Sequence, residues 1–351
     1  MRHSTNKNRY LLLASSSVKE ALQQLEALAS DAVLLLVDEQ GRLQSALTDG
    51  DIRRGLIRGL SLSDHLLEFT RSDTKAFVQG QFDLEQMRTY RERGYGIVPV
   101  VDGNRRVVDV INFNRQRSYL PLDAVIMAGG RGSRLRPLTD AVPKPLLPVG
   151  GEPIIAHNVN RLVDFGITNI IISINYLGEQ LVDYFGDGSA KNVAISYVTE
   201  DEPRGTIGAL SEVSKFENDY VLVMNSDLLT TINLEEMLEE CFQKKADMVV
   251  ATVPYEVKVP YGVVKTEGEL VVDLLEKPTY TYYSSAGIYI LKKEHLAKIP
   301  STGVYDAPDL MRELYTQGHR VAHFPIVDYW LDIGKHEDYE RAQRDIKRLR
   351  L

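Results

Sequence analysis

Apolar residues recur along this chain with two periods. Val18, Ala21, Leu22, Leu25 and Leu28 fall on one helical face within Ser17 to Ala29. Ala32 to Val37 is a compact apolar run of strand length, Asp38 to Gly41 reads as a turn, and Leu43 to Leu47 as a second strand. A helix through Ile52, Leu56 and Ile57 follows, with Thr48 or Asp49 placed to cap it. The same order then returns at a constant offset. Asp83 to Arg93 reads as a helix with Leu84, Met87 and Tyr90 on one face, Ile97 to Val101 as a strand, Asp102 to Arg105 as a turn and Val107 to Ile111 as a strand. Asp38 aligns with Asp102, and Leu43 with Val107. Such a repeat implies two copies packed about a pseudo-twofold axis.

Asn112 to Leu122 has no clear period and reads as a linker, so the expected domains are 1–118 and 119–351. Beyond it strands and helices alternate. The predicted strands are Ala124 to Ala128, Asn169 to Ile174, Val193 to Val198 and Tyr220 to Met224. The predicted helices are Ile154 to Phe165, Leu177 to Phe185, Gly208 to Lys215 and a run from Leu234 onward. This order predicts an α/β fold, a mainly parallel, Rossmann-like sheet with helices on both faces, whose ligands bind outside the carboxyl ends of the strands. A charged helix, His336 to Leu351, closes the sequence with Tyr339 and Ala342 on its inner side, and no hexapeptide repeat follows it.

Composition narrows the partners. Of 351 residues, 44% are hydrophobic and 26% charged, as in ordinary globular proteins. A formal charge of −8 argues against nucleic acid as the main partner, but leaves room for nucleotides, which need only local cations. A single cysteine, Cys241, forms no intramolecular disulfide and is expected to be a buried structural thiol. The apolar run Leu11 to Ala14, after the polar start Met1 to Tyr10, is too short for a signal peptide or a membrane span, so a cytoplasmic protein away from membranes is expected.

The stretch with most chemistry begins where the Ala124 to Ala128 strand ends. Gly129, Gly130 and Gly132 come at once, then Ser133, Arg134 and Arg136, then Lys144 between Pro143 and Pro145. Glycines let a ligand approach main-chain N–H groups, and the cations favour phosphate. The dinucleotide fingerprint fails, because Leu135 stands where its third glycine belongs, and the G-K-[ST] of a Walker loop is absent. The whole pattern, Ala-Gly-Gly-x-Gly-Ser-Arg-Leu-x-Pro-Leu-Thr and then Pro-Lys-Pro, resembles the signature of the sugar-1-phosphate nucleotidyltransferases.

That resemblance covers roughly residues 123–340 and assigns expected roles. Ala128, Gly129, Gly130, Gly132 and Ser133 would bind the nucleotide, with Gly205 and Thr206 of the Gly-Thr-Ile-Gly turn near the base. Glu200 matches a position that is often Glu in members using GTP and Gln in members using dTTP. Guanine offers two adjacent donors that one carboxylate can accept together. Arg134 and Lys144 would offset phosphate charge, and Asp227 and Asp332 would hold Mg²⁺. Lys277 would hold the sugar's phosphate, and Glu276, Gly262, Gly287 and Asn175 the sugar. Ile207 replaces the usual small residue of its motif. The substrates implied are an NTP and a sugar-1-phosphate, giving NDP-sugar and pyrophosphate.

The N-terminal half resembles a tandem cystathionine-β-synthase (CBS) pair, an α+β module. There, a Thr and Asp spaced like Thr48 and Asp51 often hold an adenine nucleotide; in the second copy Asn112 and Arg115 stand in those places, so at most one such site is expected. Both modules commonly self-associate, which makes a homo-oligomer the expectation.

Overall fold

The computed structural model describes residues 7–71, 73–81, 83–200 and 202–349. The first six residues of the polar start, Asp201 of the acidic loop after Glu200, and the last two residues of the predicted C-terminal helix lie outside them. The chain forms two compact units. One is Met1–Pro121 with Val163–Thr168 and Gly188–Ala194, and the other is Leu122–Leu162, Asn169–Asp187 and Ile195–Leu351.

In the first unit the repeat extends to hydrogen-bond detail. Leu11–Leu13, Val33–Val37 and Leu43–Thr48 form one three-stranded sheet; Phe77–Val78, Ile97–Val101 and Val107–Asn112 form another. In each, the first strand pairs parallel to the second and the second antiparallel to the third. Each antiparallel pair has a register shift at the same place, Leu36/Val37 in one and Val100/Val101 in the other. The two turns meet: Leu43 N–H donates to Arg105 O at 2.8 Å and Val107 N–H to Gly41 O at 3.0 Å. The middle strands, Val33–Val37 and Ile97–Val101, are continuous apolar runs because both of their faces are buried, with Leu34, Leu35 and Leu36 fully enclosed. The helix Val18–Leu28 starts at a capping box of Ser17 and Glu20, and Asp49–Ile57 at one of Thr48 and Asp51.

The second unit is built on a seven-stranded sheet. Its strands are β1 (Leu122–Met127), β2 (Asn169–Ile174), β3 (Ala194–Thr199), β4 (Tyr220–Asn225), β5 (Met248–Lys258), β6 (Thr279–Lys292) and β7 (Val321–Pro325), in the order β3-β2-β1-β4-β6-β5-β7. β2, β1 and β4 run parallel, β6 runs antiparallel between β4 and β5, and β7 is parallel to β5. β1 is buried along almost its whole length, as a central parallel strand must be.

Two expected helices are corrected, and one feature that no period foretold appears. Gly208 to Lys215 is not a helix but a short 3₁₀ turn, Gly208–Glu212, since glycine and serine give it little helix propensity. The C-terminal helix stops at Asp345 and passes into a 3₁₀ turn, Ile346–Arg348. The outer ends of β5 and β6 leave the sheet as a paired arm that runs on to a hairpin, Val263–Glu267 with Leu270–Leu275. No buried face gives this arm a period to read. Cys241 is buried as expected, and burial pushes its thiol up to about 11.

Candidate active site

The carboxyl ends of β1, β3 and β4 open into a cleft of about 400 Å³. Gly129, Gly130, Gly132, Ser133 and Arg134 of the loop after β1 line it, with Lys144, Glu200, Gly205, Thr206 and Asp227. Thus most residues predicted to hold nucleotide meet in one place, although they come from four separated segments.

Two glycines are needed by geometry. A Cβ on Gly129 would lie 3.0 Å from Glu200 Oε1, so glycine lets this carboxylate approach the loop. Gly132 has φ +61°, and a Cβ there would lie 2.8 Å from Lys144 Cβ. The loop is held from outside by a small core. Leu135, Leu147, Val149 and Ile154 pack with Leu229, Leu331, Ile333 and Ala342, and His336 bonds the Arg136 carbonyl. The C-terminal helix His336–Asp345 therefore braces the cationic loop.

Lys144 is buried and ion-paired with Asp227. Asp227 follows β4, and the short strand after it, Leu228–Thr230, pairs antiparallel with Trp330–Asp332, with Leu228 opposite Asp332. Ile333 N–H donates to Asp227 O at 3.0 Å. Each aspartate keeps a buried Oδ1 without a hydrogen-bond partner. Burial raises the Asp332 pKa, and the Asp227 charge raises it further against the pull of Lys144 and Arg134. Two carboxylates at one site with orphaned inner oxygens suit a hard divalent cation, so these residues fit Mg²⁺.

Glu200 is buried; its Oε1 accepts from Ser173 Oγ and its Oε2 from Arg204 N–H. Each oxygen keeps acceptor capacity for a ligand. Asn175 Nδ2 donates to the Glu200 carbonyl at 2.7 Å, which puts it beside the loop of Gly129.

Several assignments change. Ala128 does not line the cleft: it is buried and its N–H is spent on Ser173 O. The Thr206 N–H is also committed, to Asp306 Oδ1 at 2.7 Å, while Thr206 Oγ1 accepts from Ala307 N–H. Thr206 therefore docks its loop on the start of the helix Ala307–Thr316. Gly287, at φ +71°, is buried against Asn225, where a Cβ would lie 2.6 Å from Nδ2. Its neighbour Ala286 accepts from Trp330 Nε1 at 3.0 Å, which gives the tryptophan an anchoring role. Lys277, Glu276 and Gly262 lie on or beside the exposed arm and outside the cleft lining. Glu276 Oε2 does approach Gly262, within 3.2 Å of where its Cβ would be. Lys277 itself sits at φ +43°, in the left-handed region. Arg204, buried and paired with Glu212, and Asn225 also line the cleft. Arg204 carried no signal in sequence, because an arginine in an acidic loop reads as a solvated charge. Thr48 and Asp51, in the other unit, are tied up in their capping box, and Asp51 also pairs with Arg54.

A profile of the family described as Nucleotidyl transferase matches residues 123–348, and the chain belongs to that family. Among curated proteins it is 34% identical to a mannose-1-phosphate guanylyltransferase of Mycobacterium tuberculosis, over 65% of each chain. It is 30% identical to a UTP–glucose-1-phosphate uridylyltransferase of Synechocystis sp., over 64% of this chain and 63% of that one. The chain thus spans just under two thirds of the length of these relatives. Among solved structures it resembles HddC from Yersinia pseudotuberculosis complexed with GMP-PN, with a TM-score of 0.50 and 27% identity, over 64% of this chain and 99% of that one.

Proposed function

We propose that this protein transfers a nucleotidyl group from an NTP, GTP in preference, to a sugar-1-phosphate, releasing pyrophosphate. The observation that carries the reading is the cleft itself: glycines open to a ligand, the cations Arg134 and Lys144, and the orphaned oxygens of Asp227 and Asp332 beside them. A sugar-phosphate oxygen bonds to the α-phosphorus in line as the bond to pyrophosphate breaks. That oxygen is already ionised at neutral pH, so no general base is needed, and positioning and charge compensation carry the rate. Lys144 and Arg134 counter charge on the nucleotide phosphates. Mg²⁺ held by Asp227 and Asp332 would supply further positive charge there. Lys277, carried on the arm, would bring its ammonium to the sugar's phosphate, with Glu276, Gly262 and Gly287 shaping the sugar site.

Family membership leaves the base open, since relatives include guanylyl- and uridylyltransferases. Glu200 and the GMP-PN complex of a similar fold favour guanine. For the sugar, an amino-sugar-1-phosphate is our first candidate, then mannose-1-phosphate with GTP, then glucose-1-phosphate with dTTP. The test is pyrophosphate release with Mg²⁺ across five NTPs and a panel of sugar-1-phosphates. A signal confined to GTP supports the reading, a signal with dTTP or UTP alone discards the Glu200 argument, and silence throughout points to a non-catalytic nucleotide-sugar sensor.

For the first unit we propose a CBS-type pair, supported by its repeated sheets, in a cytoplasmic homo-oligomer. An adenine nucleotide at Thr48 and Asp51 would have to share groups that the helix cap already uses. Calorimetry with AMP and ATP tests it, and a silent titration leaves the pair a packing module.

A further inference from the structure

A second cluster of chemically active side chains lies at the other end of the same sheet. Asp247 immediately precedes β5, His295 follows the end of β6 in the 3₁₀ segment Lys293–Lys298, and His319 stands in the turn before β7. These positions are at the amino ends of β5 and β7, whereas Asp227 follows the carboxyl end of β4. Among the described residues, the ligand atoms of these three side chains converge within 4.8 Å of one another. His295 Nε2 is 3.3 Å from Asp247 Oδ1, and His319 Nδ1 is 3.7 Å from Asp247 Oδ2. The two imidazoles meet edge to face, with centroids 4.6 Å apart, so their nitrogens can aim at one point.

We propose that Asp247, His295 and His319 form a binding site for a zinc-class divalent cation that ties the starts of β5 and β7 to the segment after β6. Two imidazoles and one carboxylate, with a fourth position left to water, are a donor set that suits Zn²⁺ and not Mg²⁺ or Ca²⁺. Ligands about 2.0–2.2 Å from such an ion stand roughly 3.4 Å apart in a tetrahedron; the His295 nitrogen lies close to that spacing from Oδ1, and the His319 nitrogen somewhat farther from Oδ2. The carboxylate is oriented from behind. Lys292 Nζ donates to Oδ1 at 2.8 Å and Arg320 N–H to Oδ2 at 2.9 Å, as outer partners commonly do for ligating carboxylates. His295 is buried, while His319 is a third exposed on its side chain, which leaves a way in from solvent.

The test uses the full-length, tag-free chain with Zn²⁺ as the probe, in excess Mg²⁺ to occupy hard carboxylate sites. After exhaustive dialysis, elemental analysis is expected to find one equivalent of zinc per chain. Co²⁺ in its place is expected to give the intense visible bands of four-coordination. His319→Ala, at a partly exposed position, keeps its circular dichroism melt and is expected to lose at least about tenfold in zinc affinity; His295→Gln is expected to lose as much. No retained zinc in the wild type, or an undiminished wild-type affinity in both variants, would overturn the proposal.

Discussion

Asp227 and Asp332 are far apart in the chain, yet one main-chain hydrogen bond, from Ile333 N–H to Asp227 O, fixes them side by side. Each holds a buried oxygen that nothing in the protein satisfies. Their mutual repulsion, with burial the larger cause, raises the Asp332 pKa. The folded state then holds that proton more tightly than the unfolded chain does. Stability from this group is therefore present in acid and lost as pH rises through the shifted pKa. At neutral pH, without divalent metal, Asp332→Asn is expected to melt higher than wild type by roughly 2–4 °C, the scale of about 1 kcal/mol in a domain of this size. Added Mg²⁺ should stabilise the wild type more than the variant. Calorimetric scans with and without Mg²⁺ check both; a lower melt for the metal-free variant would refute the repulsion argument.

Asp227 serves two partners, the Lys144 ammonium and the proposed cation. Asp227→Asn is expected to lower turnover at least about a hundredfold, the scale of a removed electrostatic group. Lys277→Ala is expected to lower it as far, with little effect on the melting temperature because Lys277 is exposed. Near-normal pyrophosphate release from both variants would remove the site assignment.

Gly132 is held between its positive φ and the Lys144 side chain. Gly132→Ala adds a methyl to strained backbone and presses on Lys144. A loss of roughly 1–3 kcal/mol is expected, together with lower turnover. Urea unfolding at equilibrium measures the first and the pyrophosphate assay the second.

Asp306 stands at the N-cap position of the helix Ala307–Thr316, and its Oδ1 accepts from the Thr206 N–H. Asp306→Ala removes the acceptor of the Thr206 N–H, which should cost about 1 kcal/mol. It also frees the loop of Gly205 and Thr206 at the cleft edge, so KM for the nucleotide is expected to rise more than kcat falls. An unchanged KM would show that the loop is held by other contacts.

Glu200 accepts two hydrogen bonds and faces the cleft with its charge. Glu200→Gln replaces one acceptor with a donor, which disfavours guanine's paired donors and favours a pyrimidine carbonyl. The kcat/KM ratio of GTP to dTTP is expected to fall at least about tenfold. A constant ratio would mean that the base is read elsewhere.

The apolar periods locate the paired strands of the repeat and β1 to β4 of the sheet, while β5, β6 and β7 go unpredicted. Asn169 to Ile174 was legible to the residue because a strand buried on both faces is written as a continuous apolar run. The glycine and cation loop after β1 was equally legible, since its spacing is local. The arm was not, for its exposed residues follow no core. The Gly208 turn was misread because its length resembled a helix while its composition did not. Which groups of Ala128 and Thr206 are already spent depends on Ser173 and Asp306, residues distant in sequence.

The alternation of strands and helices, the N-terminal repeat and the glycine and cation loop after β1 were legible beforehand, because each is encoded in residues close along the chain. That Asp227 meets Asp332, that Lys144 is buried against Asp227, and that Asp247 gathers two histidines at the far end of the sheet emerges only on folding. Those relationships depend on strand order and pairing register, which are set by long-range packing and leave no local trace.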